Sequence, residues 1–317
     1  MRILVLGAGA VGGYFGGRLV EGDADVTFLV RAKRRAALAR DGLVVKSALG
    51  DLKLAVKTLG TGEATAPFDL VLLSCKAYDL DSAMAAIAPA MGPESTVLPL
   101  LNGMAHLDAL VARFDSSRVL GGSCYIGATL DADGAVLHMG RMQSLLFGEM
   151  DGKASPRVKA FADILARTKI DAETSPAIHQ AMWDKFVMLA ALAATTTLTR
   201  ATIGEIVAAP SGETFMLATL AECAAVAKAE GFAPTPAAYD GARRTLTQRG
   251  SGFAASMMRD LVKGGRTEGD HVIGDLVRRG AARRIDTPIL RVALANLEVH
   301  EAKRAQASTV AAASISA

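Results

Sequence analysis

The chain opens on a short apolar run, Ile3-Leu4-Val5-Leu6, which breaks into glycines and then into a helical pattern. For about 170 residues short β-branched runs alternate with amphipathic stretches, the pattern of a parallel sheet covered by helices on both faces. It predicts strands near 2–6, 25–30, 43–46, 52–58, 70–74 and 97–101, with Gly50-Asp51 turning a hairpin between the third and fourth. A β-rich stretch follows over 119–147, punctuated by Asp133-Gly134, and beyond Ile170 the strand pattern stops. Helices are predicted over 177–198, 211–230, 236–249, 253–263, 268–282 and 288–305, and the Ala-, Ser- and Thr-rich tail after Arg304 is expected to fray. At 317 residues one core no longer keeps growing. The expected architecture is an α/β domain over 1–174, built on a doubly wound sheet, followed by an all-α domain over 175–317.

Composition narrows the class. With 51% hydrophobic and 21% charged residues and a net charge of +3, the chain reads as a soluble globular protein. Its basic excess is dispersed and not interleaved with aromatics, so nucleic acid is not expected as a partner. Cys75, Cys124 and Cys223 are too few and too scattered for a disulfide framework, which fits a reducing cytoplasm. The first residues form a strand and lack the organisation of a signal peptide. The chargeless stretch 186–199 falls short of the ~20 residues that span a bilayer, so no membrane partner is expected. His106, His138, His179, His271 and His300 show no ligand spacing, and no metal is expected.

The first glycines form Gly7-x-Gly9-x-x-Gly12 between a strand and a helix. In a dinucleotide site Gly7 would permit the tight turn, Gly9 the approach of a diphosphate, and Gly12 close packing of helix on strand. Backbone N–H groups of Ala10, Val11 and Gly12 would then face the anion. The bland alternative is a glycine turn with no ligand. At the end of the second strand, where NAD sites usually carry an acid for the ribose 2′-hydroxyl, stands Arg31, followed by Lys33, Arg34 and Arg35. A guanidinium fork suits a 2′-phosphate and hence NADP (NADPH), whereas the alternative is a solvated basic helix turn. Two further strand ends lie where ligands of such sheets bind: Ser74-Cys75-Lys76 places Lys76 there, and Leu101-Asn102-Gly103 places Asn102, although Asn-Gly is also a turn signal.

The second half offers a lysine in apolar company. From Phe186 on, the helix carrying Trp183-Asp184-Lys185 is apolar nearly all round, so Lys185 is expected at or inside a buried edge. Burial would lower its pKa toward the range useful for proton transfer, and a snorkelling lysine paired with a surface acid remains the other reading. Farther on, Ser256 and Asp260 share a helix face. Thr267-x-x-Asp270 has the look of a capping box, which would make Glu268 a first-turn acid favoured by the helix dipole alone.

Together Gly7-x-Gly9-x-x-Gly12, Arg31, Lys76-Ala77-Tyr78, Leu101-Asn102-Gly103-Met104, Trp183-x-Lys185, Ser256-Met257 and Thr267-Glu268-x-Asp270 resemble the ketopantoate reductase (2-dehydropantoate 2-reductase) family over nearly the whole chain. The resemblance implies an N-terminal NADP-binding Rossmann domain, a helical C-terminal substrate domain, and an active site in the cleft between them. It implies reduction of a 2-oxo acid by NADPH, with Lys185 the general acid, Glu268 holding the lysine and contacting a substrate hydroxyl, and Ser256 and Asn102 binding substrate and cofactor. Members are often homodimers, but no interface is legible here. Family members usually carry asparagines four and eight residues after the lysine and five after the glutamate; here Leu189, Ala193 and Ile273 stand instead. Each unpaired polar group of a substrate costs ~1–3 kcal/mol, so these positions point to a less polar oxo compound. Two other readings stand beside this one: the same fold acting on another hydride acceptor, such as a 3-hydroxy acid couple or an imine, and a non-catalytic NADP-binding sensor. Lys185 and Glu268 occurring together argue against the sensor.

Overall fold

A computed structural model describes residues 1–64 and 66–315. The chain divides into two compact units, Met1–Asn102 with His106–His179, and Gly103–Ala105 with Gln180–Ala317. In order, the first unit contains β1 (Arg2–Leu6), α1 (Ala10–Glu21), β2 (Asp25–Leu29), α2 (Ala32–Asp41), β3 (Leu43–Lys46), β4 (Leu52–Leu54), β5 (Lys57–Leu59), β6 (Phe68–Leu73), α3 (Leu80–Ile87) and β7 (Met91–Pro99). After α4 (Ala105–Phe114), which begins at the end of the Gly103–Ala105 turn, come β8 (Leu120–Leu130), β9 (Val136–Glu149), α5 (Pro156–Leu165) and β10 (Asp171–Thr174).

Five of these strands form a wholly parallel sheet in the order β5-β2-β1-β6-β7. The order reverses at β1, where Ile3 pairs with Val26 on one side and Leu70 on the other. The carboxyl end of β1 is therefore the switch point at which sheets of this kind bind ligands. The remaining strands form a second sheet, β10-β9-β3-β4, with β8 antiparallel on β9. Helix α1 lies between the two sheets, and its glycines explain how. A side chain at Gly16 would start 2.6 Å from the Phe28 ring of the first sheet, and one at Gly13 2.8 Å from Val136 of the second. Both sheets thereby share one core, in which Ile3, Val5 and Phe28 join Val45, Val136 and Phe147.

The strand pattern needs three corrections. The run expected over 52–58 is two strands, of which β4 pairs with β3 while β5 joins β2 in the other sheet. The β-rich stretch belongs to a separate sheet rather than to the parallel one. Strands also continue past Ile170: Asp171–Thr174 pairs in parallel with β9, Ala172 opposite Leu145. It is an edge strand with polar, mostly exposed residues, so no alternation marks it.

The second unit is helical: α6 (Ile178–Thr199), α7 (Ile203–Ala208), α8 (Gly212–Ala229), α9 (Pro236–Leu246), α10 (Ser256–Val262), a π-helical turn Asp270–Gly274, α11 (Asp275–Ala282) and α12 (Pro288–Ile315). Helix α6 is buried over Phe186, Val187, Ala190 and Ala191, and Met216 and Leu220 of α8 and Leu276 of α11 are buried as well. Its threonines are tolerated there because Thr195, Thr196 and Thr197 return their hydroxyls to the carbonyls of Ala191, Leu192 and Ala193. The short α7, unforeseen from periodicity, is held by a reciprocal Thr202–Glu205 capping box. The expected fraying after Arg304 gives way to helix as far as Ile315, in keeping with the helix preference of alanine; Ser316 and Ala317 lie outside the described residues. Among the described residues no helix is long and apolar enough to cross a membrane.

The close fit of α1 generates a test. Gly16→Val is expected to destabilise the protein by about 1–3 kcal/mol through overpacking against Phe28, read as a lower urea midpoint at unchanged m-value. An unchanged midpoint would show that α1 does not press on the sheet as closely as described.

Candidate active site

In the first unit the carboxyl ends of β1, β2, β6 and β7 share one edge of the parallel sheet, so the segments that follow them converge. Gly7 leaves β1 with φ +89° and donates its N–H to the Leu29 carbonyl at 2.9 Å. At that φ an L side chain would be strained. Gly9 is the N-cap of α1, no side chain caps it, and a Cβ there would meet nothing within 4 Å. A Cβ on Gly12 would instead overlap the Ser74 hydroxyl and the Gly7 carbonyl, and that hydroxyl is itself donated to the Leu6 carbonyl at 2.8 Å. The loop is thus tight beneath and open above, with the N–H groups of Ala10, Val11 and Gly12 in the first turn of α1. That cradle fits the diphosphate of a dinucleotide.

Arg31 is the N-cap of α2 and is exposed, with its Nη2 donating to Asp79 Oδ2 at 3.0 Å. Arg35 pairs with Glu63 at 2.6 Å, and a hollow of ≈ 600 Å³ is lined by Val30, Arg31, Arg35, Ala36, Ala39 and Glu63. Two guanidinium groups are therefore present at the end of β2, each paired with a carboxylate. Lys76 is exposed at the N-cap of a 3₁₀ turn, Ala77–Asp79, after β6. Asn102 is half-buried beyond β7, before Gly103 with φ +91°.

Arg34 turns inward. Its Nε donates to the Ala8 carbonyl at 2.9 Å and its Nη1 to the Gly134 carbonyl at 2.7 Å. It ties the glycine loop to the β8–β9 hairpin, and burial lowers its pKa from the usual arginine value. The sequence placed Arg34 merely among basic neighbours. No side-chain signal could have singled it out, because both of its partners are backbone carbonyls.

In the second unit Lys185 lies on α6 and is only 9% exposed. The two residues before it fix that helix. Trp183 stacks on Phe232 at 5.9 Å and 9°, with the Arg279 guanidinium 5.7 Å from its ring centroid. Asp184 accepts from the Thr235 amide and hydroxyl, at 3.0 and 2.8 Å, at the N-cap of α9. Arg279 also pairs with Asp275 and with Glu230, which in turn holds Arg283. Burial pushes the Asp275 carboxyl up more than Arg279 holds it down.

Glu268 is half-buried just ahead of the π-helical turn. The expected capping box is not formed. Thr267 gives both its amide and its hydroxyl to Glu301 on α12, at 2.7 and 2.9 Å, and Asp270 takes Arg278 at 2.6 Å. Gly269 lies against Leu297 of the same helix, where a Cβ would start 2.9 Å away. Glu268 is thus mounted on α12 from both sides. Ser256 is exposed at the first residue of α10. Of the positions where the family usually has asparagine, Ile273 is fully buried and Ala193 is 2% exposed, while Leu189 is half-buried.

These features can be set beside known proteins. A family model described as ketopantoate reductase PanE/ApbA matches residues 3–152, and the model of that family's C-terminal part matches residues 177–301. The chain belongs to the ketopantoate reductase family. An uncharacterized oxidoreductase of Bacillus subtilis, YkpB, is 36% identical over 96% of this chain and 100% of its own length. The 2-dehydropantoate 2-reductase of Halobacterium salinarum is 29% identical over 92% of this chain and 96% of its own. The crystal structure of a PanE/ApbA family ketopantoate reductase from Ralstonia eutropha superposes with a TM-score of 0.87 at 30% identity, covering 96% of this chain and 99% of that one. Family membership makes the chain an NAD(P)-dependent oxidoreductase of the 2-dehydropantoate 2-reductase type.

The network behind Trp183 gives this unit an acid limit. Burial by itself would raise the Glu230 carboxyl, but its bonds to Arg283 and Arg279 outweigh burial and hold it below the ordinary value of 4.5. An acid depressed in the fold stabilises it fully above the unfolded value, and that contribution is lost as pH falls through the folded one. Denaturation followed by fluorescence of the single tryptophan is expected to shift to lower urea below about pH 4.5. Glu230→Gln should flatten that decline, and an identical acid limb in the variant would rule the network out as its source.

Proposed function

We propose that the chain reduces a 2-oxo acid with NADPH, residues 1–174 holding the dinucleotide and residues 175–317 carrying the catalytic groups. The observation that carries this reading is Lys185, an ammonium-bearing side chain 9% exposed on a helix otherwise given over to core. The bland account of a snorkelling lysine calls for an exposed head, and so little exposure argues against it.

The amides of Ala10, Val11 and Gly12 hold the diphosphate, Gly7 and Gly9 keep the loop open to it, Arg31 takes the 2′-phosphate, and Lys76 adds a cation at the same sheet edge. When bound, NADPH supplies the hydride equivalent to the substrate carbonyl carbon. Lys185 Nζ gives its proton to the carbonyl oxygen and stabilises the negative charge that develops there. Glu268, mounted on α12, orients the lysine and accepts from a substrate hydroxyl, while Asn102 and Ser256 hydrogen-bond cofactor and substrate. Leu189, half-buried one turn beyond Lys185, favours a 2-oxo acid less polar than ketopantoate. The same residue favours, as the second reading, a different hydride acceptor on the same machinery.

The test is NADPH absorbance with purified protein against 2-oxo acids that include ketopantoate and branched or aromatic analogues. Lys185→Ala is expected to lower kcat by about 10²–10⁴-fold. Oxidation with no acceptor would remove the enzyme reading, and full activity in the variant would remove Lys185 from the chemistry. For cofactor choice, Arg31→Ala should weaken NADPH binding far more than NADH binding; equal weakening would show that Arg31 does not read the 2′-phosphate.

A further inference from the structure

The loops after β2 and β6 lie on either side of the switch point at β1, and the Arg31–Asp79 pair joins them. The two partners are unequally mobile. Arg31 reaches across on a side chain 76% exposed, whereas Asp79 is 32% exposed and its backbone is engaged at both ends. Its N–H donates to the Lys76 carbonyl at 2.9 Å, and its own carbonyl accepts from the Ser82 hydroxyl at 2.9 Å. Arg35 is matched in the same way by Glu63, whose second oxygen accepts from the Gly60 N–H at 3.0 Å. Both guanidiniums lining the hollow beside α2 therefore already hold a carboxylate. Local charge is balanced there, where two arginines alone would have made it doubly positive.

We propose that Asp79 sets how strongly this chain prefers NADPH over NADH, because its carboxylate occupies the guanidinium that a 2′-phosphate must take. The inference rests on the reading of Arg31 as the phosphate contact. Binding NADPH then exchanges one anion for another on Arg31 and leaves the displaced carboxylate facing a phosphate that carries up to two negative charges. NADH brings a neutral hydroxyl to that place and leaves the pair intact. The opposition to binding falls on NADPH alone, so the preference for NADPH is smaller than Arg31 by itself would give. Because the pair is largely exposed, its effect is modest and screened by salt.

The experiment is a cofactor titration by calorimetry on the full chain at low and high salt, with wild type, Asp79→Asn, Arg31→Ala and the double variant. Thermal unfolding of each variant confirms a folded protein. Asp79→Asn is expected to tighten NADPH binding by about two- to fivefold at low salt, with less effect at high salt, and to leave NADH unchanged. In the Arg31→Ala background the same substitution is expected to tighten NADPH binding by a smaller factor, because only the repulsion between carboxylate and phosphate is left to relieve, and to leave NADH unchanged. Weaker NADPH binding in Asp79→Asn would overturn the proposal by showing that the acid positions Arg31 for phosphate. An equal change for both cofactors would overturn it too, by placing Asp79 against a part of the dinucleotide common to the two, and so would no change at all. Failure of the underlying reading is seen separately, as an Arg31→Ala variant that binds NADPH as well as wild type does.

Discussion

Everything at the dinucleotide end of this protein depends on how closely helix α1 is held between two sheets. Gly16 meets Phe28 on one side and Gly13 meets Val136 on the other, so the helix is fixed along both faces by contacts that leave no room for side chains. Its N-terminal turn is thereby set at the end of β1, with the Gly9 approach open and the space under Gly12 filled by Ser74 and the Gly7 carbonyl. Amides aimed at an anion are useful only if they need not move to meet it, and dense packing is what keeps them still.

The catalytic candidates follow a comparable logic by different means. Lys185 sits where a charge is expensive, and its helix is held by the Trp183–Phe232 stack and by Asp184 at the start of α9. Glu268 is mounted through its neighbours: Thr267 on Glu301, and Gly269 against Leu297. In each case the residue assigned to chemistry is flanked by residues assigned to position. Ile273 and Ala193, where the family usually has asparagine, are buried among the apolar residues.

How far the sequence could be read depended on where each partner lies. Gly7, Gly9 and Gly12 were legible because their role is to have no side chain, and Lys185 because a charge stands out in an apolar helix. The division of the strands into two sheets was hidden, since β-branched runs look alike whichever sheet they join; β10 was hidden because Asp171–Thr174 is polar and pairs on one edge only. The capping box at Thr267 failed against a competitor 34 residues away, Glu301, which local spacing cannot reveal. Arg34 acts on backbone carbonyls and Asp79 meets Arg31 from 48 residues away, so neither leaves a local mark.

The second sheet also constrains how this chain acquires its shape. Its β3 finds a parallel partner only when Val45 meets Val136 on β9, a closure spanning about 90 residues, whereas β1 and β2 pair across a single helical connection. Non-local parallel pairing forms slowly, because loop-closure entropy is lost before the contacts that reward it are made. Until β9 arrives, one face of α1 has no cover, and an apolar ribbon carrying Leu43 and Val45 has only half its neighbours. The glycine loop is thus among the last parts of this unit to become rigid, and the chain is most open to aggregation until β9 has paired.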